Sequence, residues 1–501
     1  MSPMTDRTRQ GLTIAAAAVA VGLVGDVLER TVPERLDLAL AVGVLVLAIG
    51  YVLLREPELD SPHPGFGLAA GVLVLALVWR DSEVLFALNL LAVGALGVLA
   101  LPQVRRAGLW RAGVMDYVDG VLRLGAGVVA GAPVLLFSEI DWRSLPDDTP
   151  ARRLRGPALG LLAAVPITIV FGGLLMDADP VFNRILTDHL ALRLDAVAEH
   201  LLAMVRWGWV AAGVIGALVW ARSALPAVPV PSPGRGRLGL GEVGTVLAIV
   251  DLLFASFVLV QFRVLFGGAA FVQAVSGLSY AEYARSGFFQ LVTVAALSLP
   301  LLLAADWLLG LRGPAALRRF RGLALLMLLL LDVMLASALY RMRLYTLEYG
   351  LTELRFYTTA FMGWLVLVFG WFAATVLRGR RGRFASGAVV AAALMLGALN
   401  LLNPDALIAR TNLARVAAGH EVDAAYIAGL SADALPTIRR TLPGLPGAER
   451  CALEAAVRHR WFKAFESGRR WDIAFSRARR ATVDGGDLGR ADAGCIAPAS
   501  I

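Results

Sequence analysis

Lysine is almost missing from this sequence: Lys463 is the only one in 501 residues. The basic charge therefore rests on arginine, and the accompanying richness in Ala, Gly, Leu and Val matches the coding composition of a GC-rich bacterium. Charged residues of any kind are scarce, at 17% against 58% hydrophobic residues. That balance excludes an ordinary soluble fold and leaves the apolar side chains to meet lipid. Strict polar–apolar alternation is also missing from the apolar runs, which excludes a transmembrane β-barrel. Cysteine is limited to Cys451 and Cys495, both near the C-terminus. A disulfide between them is chemically permitted if that end lies outside the cytoplasm, and two free thiols are the alternative. No Walker A sequence, HExxH, CxxC or nucleophile-elbow serine is present, so soluble-type catalysis has no support, and no cofactor and no metal centre are expected. Net charge is +8, but the arginines flank hydrophobic runs, where they orient a chain against a membrane. Nucleic acid is therefore not the expected partner.

What the chain does contain is a series of nearly uncharged apolar blocks of roughly 16 to 25 residues, the length of helix that crosses about 30 Å of hydrocarbon. They fall near residues 11–27, 37–54, 65–79, 84–101, 117–137, 157–176, 201–221, 243–262, 287–310, 322–340, 356–377 and 386–402. The expected fold is all-α: a polytopic transmembrane helical bundle of about twelve spans, with the lipid bilayer as its first partner. Pro133, Pro166 and Pro300 lie inside three blocks, where kinks are expected and breaks are not. The first block lacks a small-residue cleavage site after it and reads as a retained span, not a signal peptide. Ala and Gly permit close helix contacts, so residues 1–407 are expected to pack as one bundle. Residues 408–501 form a polar, mainly helical tail with helices near 451–466 and 471–480. In it Trp461, Phe462, Phe465, Trp471 and Phe475 either make a small core or rest on the membrane surface.

Arginine placement orients the second half. Arg152, Arg153 and Arg155, then Arg222, Arg235 and Arg237, then Arg312, Arg318, Arg319 and Arg321, then Arg378, Arg380, Arg381 and Arg383 recur on one side, which the positive-inside rule assigns to the cytoplasm of a bacterial inner membrane. Residues 177–200, 263–285, 341–355 and the tail then face outward. Counting twelve spans from a cytoplasmic N-terminus puts the tail on the opposite side. One segment is therefore miscounted, and residues 116–137 are the suspect, because Asp116, Asp119 and Arg123 make their first half amphipathic.

Candidate site residues follow from this layout. Asp177 and Asp179 close the sixth block beside Pro180; they are either a helix stop or a pair able to hold a cation or act as base. His189 and His200 follow at a spacing too wide for a metal motif. Arg206, Asp251, Asp306 and Asp332 are charges within or near the ends of spans, where a charge is costly and faces the bundle interior, either in a structural ion pair such as Asp251 with Arg206 or Arg263, or in proton or ion coupling. The densest polar run joins Arg341, Tyr345, Glu348, Glu353 and Arg355, and the periodicity predicts Arg341, Tyr345, Glu348 and Thr352 on one helical face. Tyr283 and Arg285 offer a second such patch. GxGxxG spacings in residues 234–244 lack the strand and amphipathic helix of a dinucleotide site.

Four segments together, residues 177–182, 279–291 (SYAEYARSGFFQL), 351–361 (LTELRFYTTAF) and 400–410 (NLLNPDALIAR), resemble a bacterial family of multi-pass membrane proteins catalogued as a domain of unknown function, of the 4153/4173 type. The resemblance covers about residues 85–440 and implies a polytopic inner-membrane protein, with no catalytic residues to carry over. The expected function is accordingly non-enzymatic, in transport or envelope sensing. Its outward polar site for a small-molecule, lipid or envelope-protein partner would be lined by Asp177, Asp179, Arg263, Tyr283, Arg285, Arg341, Glu348, Glu353 and Arg355. The alternative is a lipid-linked glycosyl- or group-transferring membrane enzyme using Asp177 or Asp179.

Overall fold

The structure is a computed structural model that describes residues 6–55, 65–101, 104, 108, 112–141, 192–219, 243–259, 288–309, 314–466 and 470–480. Among the described residues the chain is helical and has no strand. Eight helices are long and apolar enough to cross a membrane, and two shorter apolar helices, Gly65–Trp79 and Val243–Leu259, accompany them. In chain order the described α-helices before the tail are α1 (Asp6–Thr31), α2 (Leu36–Arg55), α3 (Gly65–Trp79), α4 (Glu83–Ala100), α5 (Val114–Val134), α6 (Leu192–Val219), α7 (Val243–Leu259), α8 (Phe288–Leu309), α9 (Pro314–Tyr349), α10 (Glu353–Thr375) and α11 (Phe384–Leu402), of which α5, with Asp116, Asp119 and Arg123, is not among those ten. The expected span at 157–176 lies outside the described residues, as does Pro166. Pro133 and Pro300 sit inside continuous helices, α5 and α8. The chain is a multi-pass membrane protein on this evidence of length and composition.

Where the sequence reading expects one bundle, the chain divides into two compact units: residues 1–75, 93–105 and 119–228, and residues 76–92, 106–118 and 229–501. In the first unit α1 lies along α6 and against α2. The approach is set by small residues. A Cβ on Gly22 would stand 2.6 Å from the Met204 carbonyl oxygen, and one on Gly131 would stand 2.5 Å from Gly213 Cα. Without side chains at these points, backbones pack by direct contact, which is how helices associate where lipid removes the hydrophobic drive. Arg7 clamps Glu139 with two bonds of 2.7 and 2.8 Å. Asp26 receives His200 at 2.7 Å and Arg30 at 2.9 Å.

In the second unit α8, α9 and α10 pack on one another, and α10 on α11. The core collects Leu302, Phe320, Met327, Leu331, Met362, Phe369 and Phe372. On α9, Met327 and Leu331 are fully buried while Leu325, Leu326 and Leu329 are about half exposed. A helix apolar on every side with only one side packed presents the rest to lipid. With 36 residues α9 spans about 54 Å, so its ends stand beyond a hydrocarbon core of about 30 Å. It stops at Tyr349 because Gly350 turns left-handed at φ +80°, a conformation that glycine adopts without strain. This corrects the single face expected for Arg341, Tyr345, Glu348 and Thr352. Thr352 lies past the break, in extended backbone, and caps the next helix by accepting from Arg355 N.

The polar tail begins one residue after α11. Asn403, at φ 53°, leaves α11 and caps α12 (Pro404–Ala417), with its side chain accepting from Ala406 N. Short helices α13 (Ala424–Gly429) and α14 (Leu435–Thr441), then α15 (Gly447–Glu466) and α16 (Ile473–Arg479), follow among the described residues. Its core includes Ile408, Leu413, Ile427, Leu435, Leu453 and Trp461, with Leu351 and Phe356 of the α9–α10 region packed against it. Trp461, Phe465 and Phe475 form an aromatic triangle with centroids 5.1 to 6.2 Å apart. Phe462 and Trp471 stay exposed. Cys451 is disulfide-bonded; Cys495 lies outside the described residues.

Candidate functional site

The tail is held to the ends of the membrane helices by buried charge. The α3–α4 turn is only Arg80, Asp81 and Ser82, and Asp81 and Ser82 are each 1% exposed. Asp81 N donates to Asp433 Oδ2 at 2.7 Å, and Ala432 N donates to Asp81 Oδ2, also at 2.7 Å. Each aspartate thus accepts from the other segment's backbone, a reciprocal clasp that satisfies donors otherwise stranded away from water. Arg80 donates to Asp433 Oδ1 at 3.0 Å and to the Asn400 carbonyl at 2.8 Å. It thereby neutralises the aspartate and caps the carbonyl end of α11. Arg470 closes the cluster, donating to the Asp81 carbonyl at 3.0 Å and standing 2.7 Å from Asp81 Oδ1.

Two further carboxylates are wholly buried here. Asp472, 0% exposed, caps α16 by accepting from Phe475 N at 2.7 Å, and its side chain also lies within hydrogen-bonding reach of the Asp81 carboxyl. Asp405, 0% exposed, accepts from the Ser431 hydroxyl through Oδ2, while Oδ1 has no hydrogen-bond partner. Burial, followed by the neighbouring Asp472, pushes the Asp81 carboxyl up to about 7 against the pull of Arg470. Burial likewise lifts Asp405 to about 7, opposed by Ser431. The Asp433 carboxyl is raised by burial and held back by the Asp81 amide and Arg80. Taking a charged group out of water favours its neutral form, and a like charge nearby does the same. Among the described residues no group of three potential ligands is arranged to hold a metal ion.

A second set of contacts closes over the α9–α10 turn. Arg415 of α12 donates to the carbonyls of Thr346, at 3.2 Å, Leu347 and Glu348, at 2.7 Å. Arg355 takes the Tyr349 carbonyl at 3.3 Å and that of Gly350, with its guanidinium 3.9 Å from the Tyr345 ring centroid. Two cations thus satisfy the last carbonyls of α9 and meet the negative end of its dipole. Asn412 brackets Leu351, accepting from its N–H at 2.7 Å and donating to its carbonyl at 2.8 Å. The Tyr426 hydroxyl accepts from Glu353 N at 2.9 Å, and burial pushes that phenol up to about 12. Deeper between the helices, Asn89 of α4 and Asn400 of α11 exchange amide bonds of 3.0 and 3.2 Å.

Of the residues singled out from sequence, Arg341, Glu348, Glu353 and Arg355 fall at this end of α9 and α10. Arg341 is buried, Glu348 is exposed, and Arg355 is spent on capping. Asp177, Asp179, Arg263, Tyr283 and Arg285 lie outside the described residues. Arg206 belongs to the first unit and pairs with Glu29 on α1, not with Asp251, at the rim of a cavity of about 330 Å³. Asp306 pairs with Arg381 at 2.9 Å. Asp251 is 3% exposed with both carboxylate oxygens lacking a hydrogen-bond partner, and one oxygen of Asp332 is in the same state. Sequence reasoning passed over Arg80, Asp81, Asp405, Asp433, Arg470 and Asp472. The signal for the first pair is present: a three-residue polar break between two apolar runs gives its charges little room to reach water unaccompanied.

No curated protein and no solved structure matches the chain. A family model described as a domain of unknown function, DUF4153, matches residues 67–441. That stretch contains α4 to α11, the α3–α4 turn and the tail as far as α14, so it includes Arg80, Asp81, Asp405 and Asp433 but not Arg470 or Asp472, and the chain belongs to the DUF4153 family.

Proposed function

We propose that the protein is a non-enzymatic envelope-sensing protein of the bacterial cytoplasmic membrane, with its tail-bearing end outward and its helical tail as the sensing module. The observation that carries this reading is the clasp itself: the tail docks on the α3–α4 turn in cis through buried ionisable groups, while its Arg415 caps the end of α9, instead of by a purely apolar contact. A module docked by groups whose charge depends on the surroundings suits detection better than passage of a solute. Orientation has independent support. Arg318, Arg319 and Arg321 sit at the start of α9, and Arg378, Arg380, Arg381 and Arg383 between α10 and α11, at the ends of those helices away from the tail. The positive-inside rule gives that end to the cytoplasm.

Labelling of Cys451 in intact cells after mild reduction, with a membrane-impermeant thiol reagent, tests the reading. Reaction in intact cells is the expected result. Reaction only after lysis would place the tail in the cytoplasm and overturn the proposal.

A further inference from the structure

We propose that the clasp is a proton-operated latch: in the docked state Asp81 keeps a proton directed at the neighbouring Asp472, Asp405 holds another, and their loss as pH rises loosens the tail from the membrane helices. The inference deepens the sensing role and rests on it. Two carboxyl groups in hydrogen-bonding reach of one another, 1% and 0% exposed, cannot both carry full charge at modest cost, so the Asp81 carboxyl keeps its proton. Arg470 faces the pair, Arg80 and Asp433 stand beside it across the reciprocal bonds, and Glu83 opens α4. From α10 come Glu353 and Tyr357, from α13 Tyr426, and from α12 Asp405. Four buried aspartates meet two partly buried arginines, so full ionisation leaves an excess of negative charge in the clasp. Asp405 adds the independent sign. It is 0% exposed and one of its oxygens has no partner, which suits a neutral acid.

The direction follows from linkage. Docked, the Asp81 and Asp405 carboxyls hold their protons up to about 7. Undocked and solvated, they titrate near the ordinary aspartate value of about 3.9. Between those limits the docked state binds more protons, so docking is strongest in acid and weakens by about tenfold per pH unit for each proton, levelling off above neutrality.

The test is hydrogen exchange of residues 435–441 and 473–479 in the purified full-length protein in detergent, from pH 5 to 8.5, corrected for the intrinsic exchange rate. Wild-type protection is expected to fall with rising pH. Asp472→Asn keeps the helix cap, since Asn also caps helices, and Asp405→Asn keeps an amide oxygen to accept from the Ser431 hydroxyl. Asp405→Asn is expected to make the slope shallower by about tenfold per unit, Asp472→Asn to move the fall in protection to lower pH by removing the like charge beside a still-buried Asp81, and the double variant to do both. Asp472→Ser, which keeps the cap through a hydroxyl, is expected to match Asp472→Asn. A flat wild-type profile, or a double variant as steep as the wild type, overturns the latch. Because the readout is independent of membrane side, its failure is distinct from failure of the outward orientation.

Discussion

At the scale of single residues, the chain places its buried charges where two stretches of backbone must meet. Arg80 serves as counter-ion to Asp433 and as cap for the last carbonyls of α11. Removing it leaves a carboxylate whose side chain is 3% exposed without its cation, a change that costs about 3 to 5 kcal/mol in buried pairs. Arg80→Met is therefore expected to lower the melting temperature of the detergent-solubilised protein sharply, and Arg80→Met with Asp433→Asn to recover most of the loss. A double variant no better than the single would show that Arg80 acts through packing alone. None of these pairings was legible in the sequence. Arg80 and Asp81 look like an ordinary polar turn, and their partners lie more than 300 residues further on. The polar run at 341–355 was legible as a concentration of charge, but not as a pair of helix caps, because the carbonyls it satisfies belong to the backbone and carry no residue signature.

Among the elements, the apolar helices were largely readable, since a run of Leu, Ala and Val long enough to span lipid has few other uses. Their ends were less so. α9 runs through Arg341 to Tyr349 because long polar side chains are tolerated on a helix that has left the hydrocarbon, and only Gly350 ends it. The lateral pairing of helices was hidden too. Asn89 and Asn400, 1% and 4% exposed, join α4 to α11 by a reciprocal amide pair. Asn89→Leu is expected to cost about 1 to 2 kcal/mol by stranding the Asn400 amide. Asn89→Leu with Asn400→Leu should approach wild-type stability, and unfolding monitored by far-UV circular dichroism distinguishes the cases. If both single variants match the wild type, the pair contributes nothing.

For the whole molecule, the second unit narrows the question of how many times the chain crosses. α4 begins at the tail-bearing end, beside Asp81, and α8 finishes at the arginine-bearing end, where Asp306 meets Arg381. If both cross the membrane, the chain between them crosses an odd number of times, yet the apolar blocks at 117–137, 157–176, 201–221 and 243–262 make an even set. One of them is expected not to cross. Single cysteines introduced near residues 109, 145, 190, 230 and 275 of a cysteine-free variant and probed with an impermeant thiol reagent should find one block with both flanks on the same side. Strict alternation through all four would refute the orientation of α4 or α8.

The bond from Arg470 to Asp81 joins residues 389 positions apart. On the ribosome, where a chain grows by about 5 to 20 residues each second, Asp81 emerges roughly 20 to 80 s before the arginine that will face it. The α3–α4 turn must wait out that interval at the membrane surface with its aspartate in water. A chain cut short before residue 470 never ends the wait. The second unit thus closes only once residue 470 has been made, and a product truncated before it carries an Asp81 that never meets its arginine.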